Sequence, residues 1–231
     1  MPAGDRRKSR RAGLRRELIG AVCLAAAPRA ALVSGIAVCG PAAAYTLTLA
    51  PASPKTIYLQ VGVGSFTADY NVGGQPGNNT TVNAVSTTVA AGAVGNGAPQ
   101  AMTTDSTAVK SFLDGYAYCS VPGQLYIGGF YRTAGGNTAV AQVTATVPTG
   151  LTNATGATIP FSKIQWTSSG NGDAGAEPFP AGTFVNGGVQ NVGAMASNTW
   201  NESCWTFSYL NNTVPPAGTF SGVVSYTMSS P

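Results

Sequence analysis

Residues 115–132 read GYAYCSVPGQLYIGGFYR, and this stretch decides the fold class. Tyr116, Tyr118 and Ser120 fall on one face of an extended chain, and Ala117, Cys119 and Val121 on the other. A period of two is the signature of a strand, and tyrosine, phenylalanine, valine and isoleucine suit a pleated surface. Pro122-Gly123 supplies turn chemistry between the two runs, so 115–121 and 124–132 are expected to form a β-hairpin.

The same period recurs outward from this hairpin. Toward the C-terminus, 138–147, 158–167, 182–189, 199–209 and 219–228 read as strands; in the last, Phe220, Val224, Tyr226 and Met228 alternate with Ser221, Val223, Ser225 and Thr227. Toward the N-terminus, Tyr45, Leu47 and Leu49 alternate until Pro51, 56–63 is rich in β-formers, and 80–90 alternates weakly. Turn residues cluster at Gly73-Gly74 and Pro76-Gly77, and 91–106 reads as a long Gly/Ala/Asn-rich surface loop. A short helix is expected over 105–113, with Asp105 or Ser106 placed to cap it, and no segment sustains a helical pattern for three turns. Roughly ten strands separated by Gly, Pro, Asn and Ser predict an all-β, antiparallel β-sandwich. Its domain is expected to span 45–231, without an internal repeat.

Charge is scarce and unevenly placed. Charged residues are 9% of the 231, and histidine is absent, which removes Ser-His-Asp and Cys-His catalysis, His-ligated zinc and a histidine pH switch. Eight of the twelve basic residues, Arg6 through Arg29, precede residue 45. Beyond it, Lys55, Lys110, Arg132 and Lys163 stand against Asp69, Asp105, Asp114, Asp173, Glu177 and Glu202. A body with so few cations cannot neutralise a run of phosphates, so nucleic acid is not an expected partner.

Residues 1–44 read as an export signal. A cationic run from Arg6 to Arg16 precedes an apolar stretch from Leu18 to Cys39, and Ala42-Ala43-Ala44 offers a small-residue cleavage site before Tyr45. Ser9-Arg10-Arg11 loosely resembles a twin-arginine signal, although Gly13 stands where a large apolar residue is usual. Pro28 and Arg29 break the apolar stretch into pieces too short for a spanning helix, so the mature chain is expected to carry no membrane span. Val38 before Cys39 argues against a lipoprotein, and a downstream start codon would also explain the long leader. The destination is the same in each case: periplasm, cell surface or medium.

With Cys23 and Cys39 in the leader, the body keeps Cys119 and Cys204. An even pair in an exported chain is most simply one disulfide.

Two constellations could carry chemistry. Asp173 and Glu177, in the Gly-rich run 170–177, could hold calcium through carboxylate and backbone oxygens, or act as the acid/base pair of a carboxylate hydrolase. The opposing reading is a solvated loop. The aromatic set, above all Trp166 and Trp200 near strand ends, could offer stacking faces to a polysaccharide. At alternating strand positions aromatics are more often core. Asn-x-Ser/Thr sequences at Asn78, Asn79, Asn153, Asn201 and Asn211 read as polar loops in a bacterial chain, and no body lysine lies in a Ser-x-x-Lys motif. No cofactor is expected, and no enzymatic activity.

The closing segment Pro216-Ala217-Gly218-Thr219-Phe220, leading into Ser221 to Thr227, resembles the last strand of bacterial fimbrial and spore-coat-like subunits. Pro180-Ala181-Gly182-Thr183-Phe184 repeats the turn. The resemblance covers about twelve residues, and the chain lacks the early cysteine such subunits carry on a first strand. The whole chain is also similar to uncharacterised secreted proteins of Gram-negative bacteria. The resemblance implies an Ig-like fold and a surface-assembled protein, with itself or other surface subunits as partners. Polysaccharide binding is the alternative.

Overall fold

The computed structural model describes residues 48–67, 74–171 and 177–231. The expected leader, Tyr45, Leu47 and Asp173 lie outside the described residues.

Nine strands build the frame: β1 (Thr56–Val61), β2 (Gln100–Ala101), β3 (Leu125–Arg132), β4 (Val140–Val147), β5 (Ile164–Ser169), β6 (Gly182–Thr183), β7 (Gly188–Ala196), β8 (Trp200–Tyr209) and β9 (Ser225–Ser229). They form two antiparallel sheets. The first has the order β1-β3-β8-β5-β6, with β2 beside the far end of β8, and the second has the order β7-β4-β9. β8 is the spine of the first sheet. It pairs with β3 through Trp200–Trp205 and with β5 through Cys204–Tyr209.

The expected alternation produces the core. Every second residue of β4 (Ala141, Val143, Ala145, Val147) is buried, and these side chains meet Leu125, Ile127 and Tyr131 of β3 and Trp205, Phe207 and Tyr209 of β8. Trp166 of β5 joins them, its ring 5.1 Å from that of Trp205. Interdigitating inner faces of two sheets make a sandwich-like core. A bulge in β7 between Asn191 and Gly193 brings the backbone against Phe179, where a Cβ on Gly193 would lie 2.5 Å from the ring. Only glycine fits there. The all-β, antiparallel expectation holds.

Several local expectations do not. Residues 124–132 supply β3, but 115–121 form no partner strand. They belong to a cap, 105–122, that crosses the outer face of the first sheet. Cys119 is bonded to Cys204 of β8 with Cα atoms 5.6 Å apart, and the Tyr118 hydroxyl donates to the carbonyl of Glu202 at 2.9 Å. These tertiary ties replace the hairpin ladder that the alternation of 115–121 suggested.

Nor is 105–113 helical. The Asp105 carboxylate accepts from the Asn83 side chain and the Ala84 N–H, each at 2.9 Å, and caps nothing. Ser106 and Ser111 take the N–H groups of Ala108 and Leu113, two residues on. Such local side-chain bonds compete with helix formation. Of 80–90 only Val85–Ser86 pairs, with Thr103–Thr104. Of 219–228, Ser221 bridges Thr152 and the strand begins at Ser225.

The described start of the body is tied to its own chain. Thr48 bridges Thr199, and Leu49 N–H donates to the Asn198 carbonyl at 2.8 Å. Leu49 is buried, and Arg132 Nε donates to the Ala50 carbonyl at 2.8 Å.

The disulfide generates the first prediction. It spans 85 residues and both sulfurs are buried. On the loop-entropy argument, removing it with Cys119→Ser/Cys204→Ser lowers unfolding free energy by up to about 4 kcal/mol. Urea titration of the two forms measures this. Labelling the unfolded, unreduced body from Tyr45 onward, which lacks Cys23 and Cys39, with a thiol reagent finds no free thiol; two equivalents of label would refute the bond.

Candidate functional site

The outer face of the first sheet is where polar chemistry concentrates. β8 alternates, so Trp200, Glu202 and Cys204 share that face while Trp205 and Phe207 point into the sandwich. Tyr126 and Phe130 of β3, and Tyr58 and Gln60 of β1, stand beside them by strand register. Tyr58, Phe66, Phe130 and Trp200 form a ring cluster with centroids 5.1–6.2 Å apart. Leu49 and Leu113 of the cap close over it.

Glu202 is half-buried at the margin of this cluster. Its Oε2 accepts from the Tyr126 hydroxyl at 2.7 Å and from the Trp200 indole N–H at 2.9 Å. Donors thus converge from β3 and β8, with Ser111 of the cap close enough to favour the charged carboxylate. The neighbouring Tyr58 hydroxyl donates to Gln60 Oε1 at 2.6 Å, and Gln60 in turn donates to the Gly62 carbonyl at 2.7 Å.

Burial pushes the Glu202 pKa up from 4.5; the bonds from Tyr126, Trp200 and Ser111 pull against that rise, and the negative charge of Asp114 on the cap adds to it. Burial, and then the Glu202 charge, hold the Tyr126 phenol well above its ordinary value. Burial raises Tyr58 to about 12. Both phenols are therefore neutral donors at physiological pH. An acid with a raised pKa beside two phenols has the composition of a proton-transfer site. Here the phenol and the indole N–H beside the carboxyl are directed at Glu202 itself, so the arrangement joins β3 to β8 beneath the cap.

The aromatic pair singled out from the sequence does not form a stacking platform. Trp166 is only 4% exposed, its indole N–H donates to the Pro180 carbonyl at 2.9 Å, and its ring lies 4.7 Å from that of Phe184. Trp200 is 8% exposed and belongs to the cluster on the opposite face of the sheet. Each ring is enclosed by other rings and each N–H is satisfied internally, which is how a core tryptophan behaves. Glu177 accepts a bond from the buried Ser203 hydroxyl at 3.0 Å, and Asp173 lies outside the described residues. Among the described residues, no three His, Cys, Asp or Glu side chains stand together to hold a metal ion.

Of the asparagines in the Asn-x-Ser/Thr sequences, Asn201 lies within β8, while Asn153 and Asn211 shape turns. Asn153 accepts the N–H groups of Thr155 and Ala157, and the buried Asn211 bonds Ala93, Gly95 and Asn96. The sequence did carry a signal for Glu202 that went unread: Trp200, Glu202 and Cys204 sit at spacings of two in one strand, beside the cysteine whose partner follows Tyr118.

Comparison with protein-family models, with curated proteins and with solved structures found no match.

Glu202 makes stability depend on pH. Its folded-state pKa lies above the ordinary value, so the folded protein holds this proton more tightly than the unfolded chain. The linked stability is complete below the ordinary glutamate range and is lost as pH rises through the raised value. Glu202→Gln removes that loss. Thermal melts across mildly acid to neutral pH should show the contribution declining in wild type and absent in the variant; identical profiles would refute the assignment.

Proposed function

We propose that this chain is an exported, non-catalytic bacterial protein of the cell surface or exterior, an Ig-like β-sandwich that acts as an assembly subunit or adhesin. The observation that carries this reading is the buried Cys119–Cys204 bond. A disulfide that fastens a cap across the outer face of a sheet is a device for an oxidising compartment, where a thiol pair would not be kept reduced. The Arg-rich leader-like sequence and the scarcity of charge beyond it agree with that destination.

The Glu202 cluster supports a holding role over a catalytic one. Tyr126 and Trp200 belong to the sheet itself, and their bonds to Glu202 satisfy the carboxylate within the chain's own frame. The ties of Thr48 and Leu49 to Asn198 and Thr199 favour a first strand that completes its own domain over one given to a neighbour. Assembly in this reading therefore proceeds through preformed surfaces.

Expression of the full chain in a Gram-negative host, followed by fractionation and N-terminal sequencing, tests the proposal. The expected product is extracytoplasmic, oxidised at Cys119 and Cys204, and begins at or near Tyr45. A cytoplasmic product that retains Arg6 to Arg16 would overturn it. Sedimentation with insoluble polysaccharides addresses the rival role: specific retention by one polymer would make the protein a sugar-binding module.

A further inference from the structure

Residues 109–118 form a hairpin of their own within the cap. Tyr118 N–H donates to the Val109 carbonyl at 2.8 Å and Ser111 N–H to the Tyr116 carbonyl at 2.9 Å, with Lys110 bridging Ala117 between them. The turn closes at Gly115, where φ is 78°; its N–H donates to the Ser111 carbonyl at 3.0 Å, and the Asp114 carboxylate takes the Tyr116 N–H at 3.0 Å. A positive φ suits glycine at that point. Among the described residues, the backbone-to-backbone bonds of 109–118 all stay inside the hairpin.

The two ends of this hairpin are fixed. On one side the Asp105 N–H donates to the Ala84 carbonyl at 3.2 Å, while the Asp105 carboxylate takes the Ala84 N–H and the Asn83 amide. On the other, Cys119 is bonded to Cys204, the Tyr118 hydroxyl reaches the Glu202 carbonyl, and the Asn171 side chain donates to the Tyr118 carbonyl. Toward the turn, attachment passes to side-chain packing. Leu113 is 3% exposed against Trp200, Phe130 and Tyr58, and the Phe112 ring lies 5.8 Å from that of Tyr126. A segment held by a few packed side chains, with no ladder to its neighbours, belongs to the low end of local stability.

We infer that 109–118 is a flap, hinged at Asp105 and Cys119, that opens from and closes over the aromatic cluster while both sheets stay folded. Opening uncovers Trp200, Phe130 and Tyr58, and the disulfide keeps the flap beside them for reclosure. The inference requires only the folded, oxidised body and is independent of the compartment proposed above.

Glu202 makes the flap answer to pH. Closure strips water from its carboxyl, which favours the neutral form, and burial is the largest influence on this group. The groups facing it divide: Tyr126 of β3, Trp200 of β8 and Ser111 of the flap favour the charge, and Asp114 at the turn opposes it. Tyr58 of β1 is a neutral phenol, and Lys110, the cation of the flap, is exposed. Tyr126 and Trp200 stay with the sheet when the flap lifts, so an ionised Glu202 keeps those donors and regains water. The open fraction therefore grows as pH rises through the Glu202 titration.

Residue-resolved hydrogen exchange on the oxidised full chain tests this. The Ser111, Gly115 and Tyr118 amides should exchange together, at least about tenfold faster than the β3–β8 ladder, with a shallow dependence on urea because little surface is exposed. Leu113→Ala removes the buried anchor and should speed the same amides at least about tenfold. Corrected for the intrinsic chemistry of exchange, their protection should fall between mildly acid and neutral pH in wild type and stay level in Glu202→Gln. Flap amides that share the rate and the steep urea dependence of the ladder would overturn the inference. So would flap exchange untouched by Leu113→Ala, or a Glu202→Gln variant whose pH profile follows wild type.

Discussion

The Cys119–Cys204 bond joins a segment that makes almost no ladder of its own to the strand at the middle of the first sheet. β8 is consequently covered on both sides. Trp205, Phe207 and Tyr209 meet the second sheet, while Trp200, Glu202 and Cys204 meet the cap. A sheet face left bare with Tyr58, Phe130 and Trp200 on it would be a large apolar patch, the kind of surface that drives indiscriminate association. The covalent bond holds the cover in place where backbone pairing is sparse, and the Tyr118 hydroxyl, donating to the Glu202 carbonyl, fastens the same cover a short distance away.

The two outer faces of the sandwich thus differ in kind. On the first sheet, aromatic side chains and a half-buried carboxyl lie beneath the cap. On the second, β4 stands between two partners with Thr144, Thr146 and Val140 facing outward and no charged side chain on the three strands. Both follow from alternation: with every second residue of a strand committed to the core, the intervening residues alone decide what the protein shows to its surroundings.

Glu202 illustrates the balance between these demands. Placing a carboxyl in a half-buried position opposes its ionisation, and the hydroxyl and indole donors recover only part of that cost. The residue binds Tyr126 of β3 and Trp200 of its own strand, and its charge is the weak point of that junction. A cation beside it would have been the usual remedy, and the body of this chain has only four to distribute.

What the sequence determined by itself is the class of fold and the identity of the crosslink. Strict alternation in 138–147 matches β4, because a strand half-buried on one face needs nothing beyond its own period to be recognised, while 124–132 and 199–209, rich in β-formers, match β3 and β8, which are covered on both faces. Two cysteines left in the body made their pairing a matter of counting. Tertiary structure decided everything that depends on which strand lies beside which. Residues 115–121 alternate as well as any strand, yet the bond from Cys119 and the hydroxyl of Tyr118 carry them across a sheet face. Trp166 and Trp200 looked alike at strand ends, and the register of β5 and β8 sent one into the sandwich and the other beneath the cap. Glu202 became notable only when β3 placed Tyr126 opposite Cys204 and the cap brought Ser111 within reach. Local periodicity encodes which face a side chain takes, whereas neighbours distant in the chain are set by the packing of whole strands, and no short window of sequence contains that information.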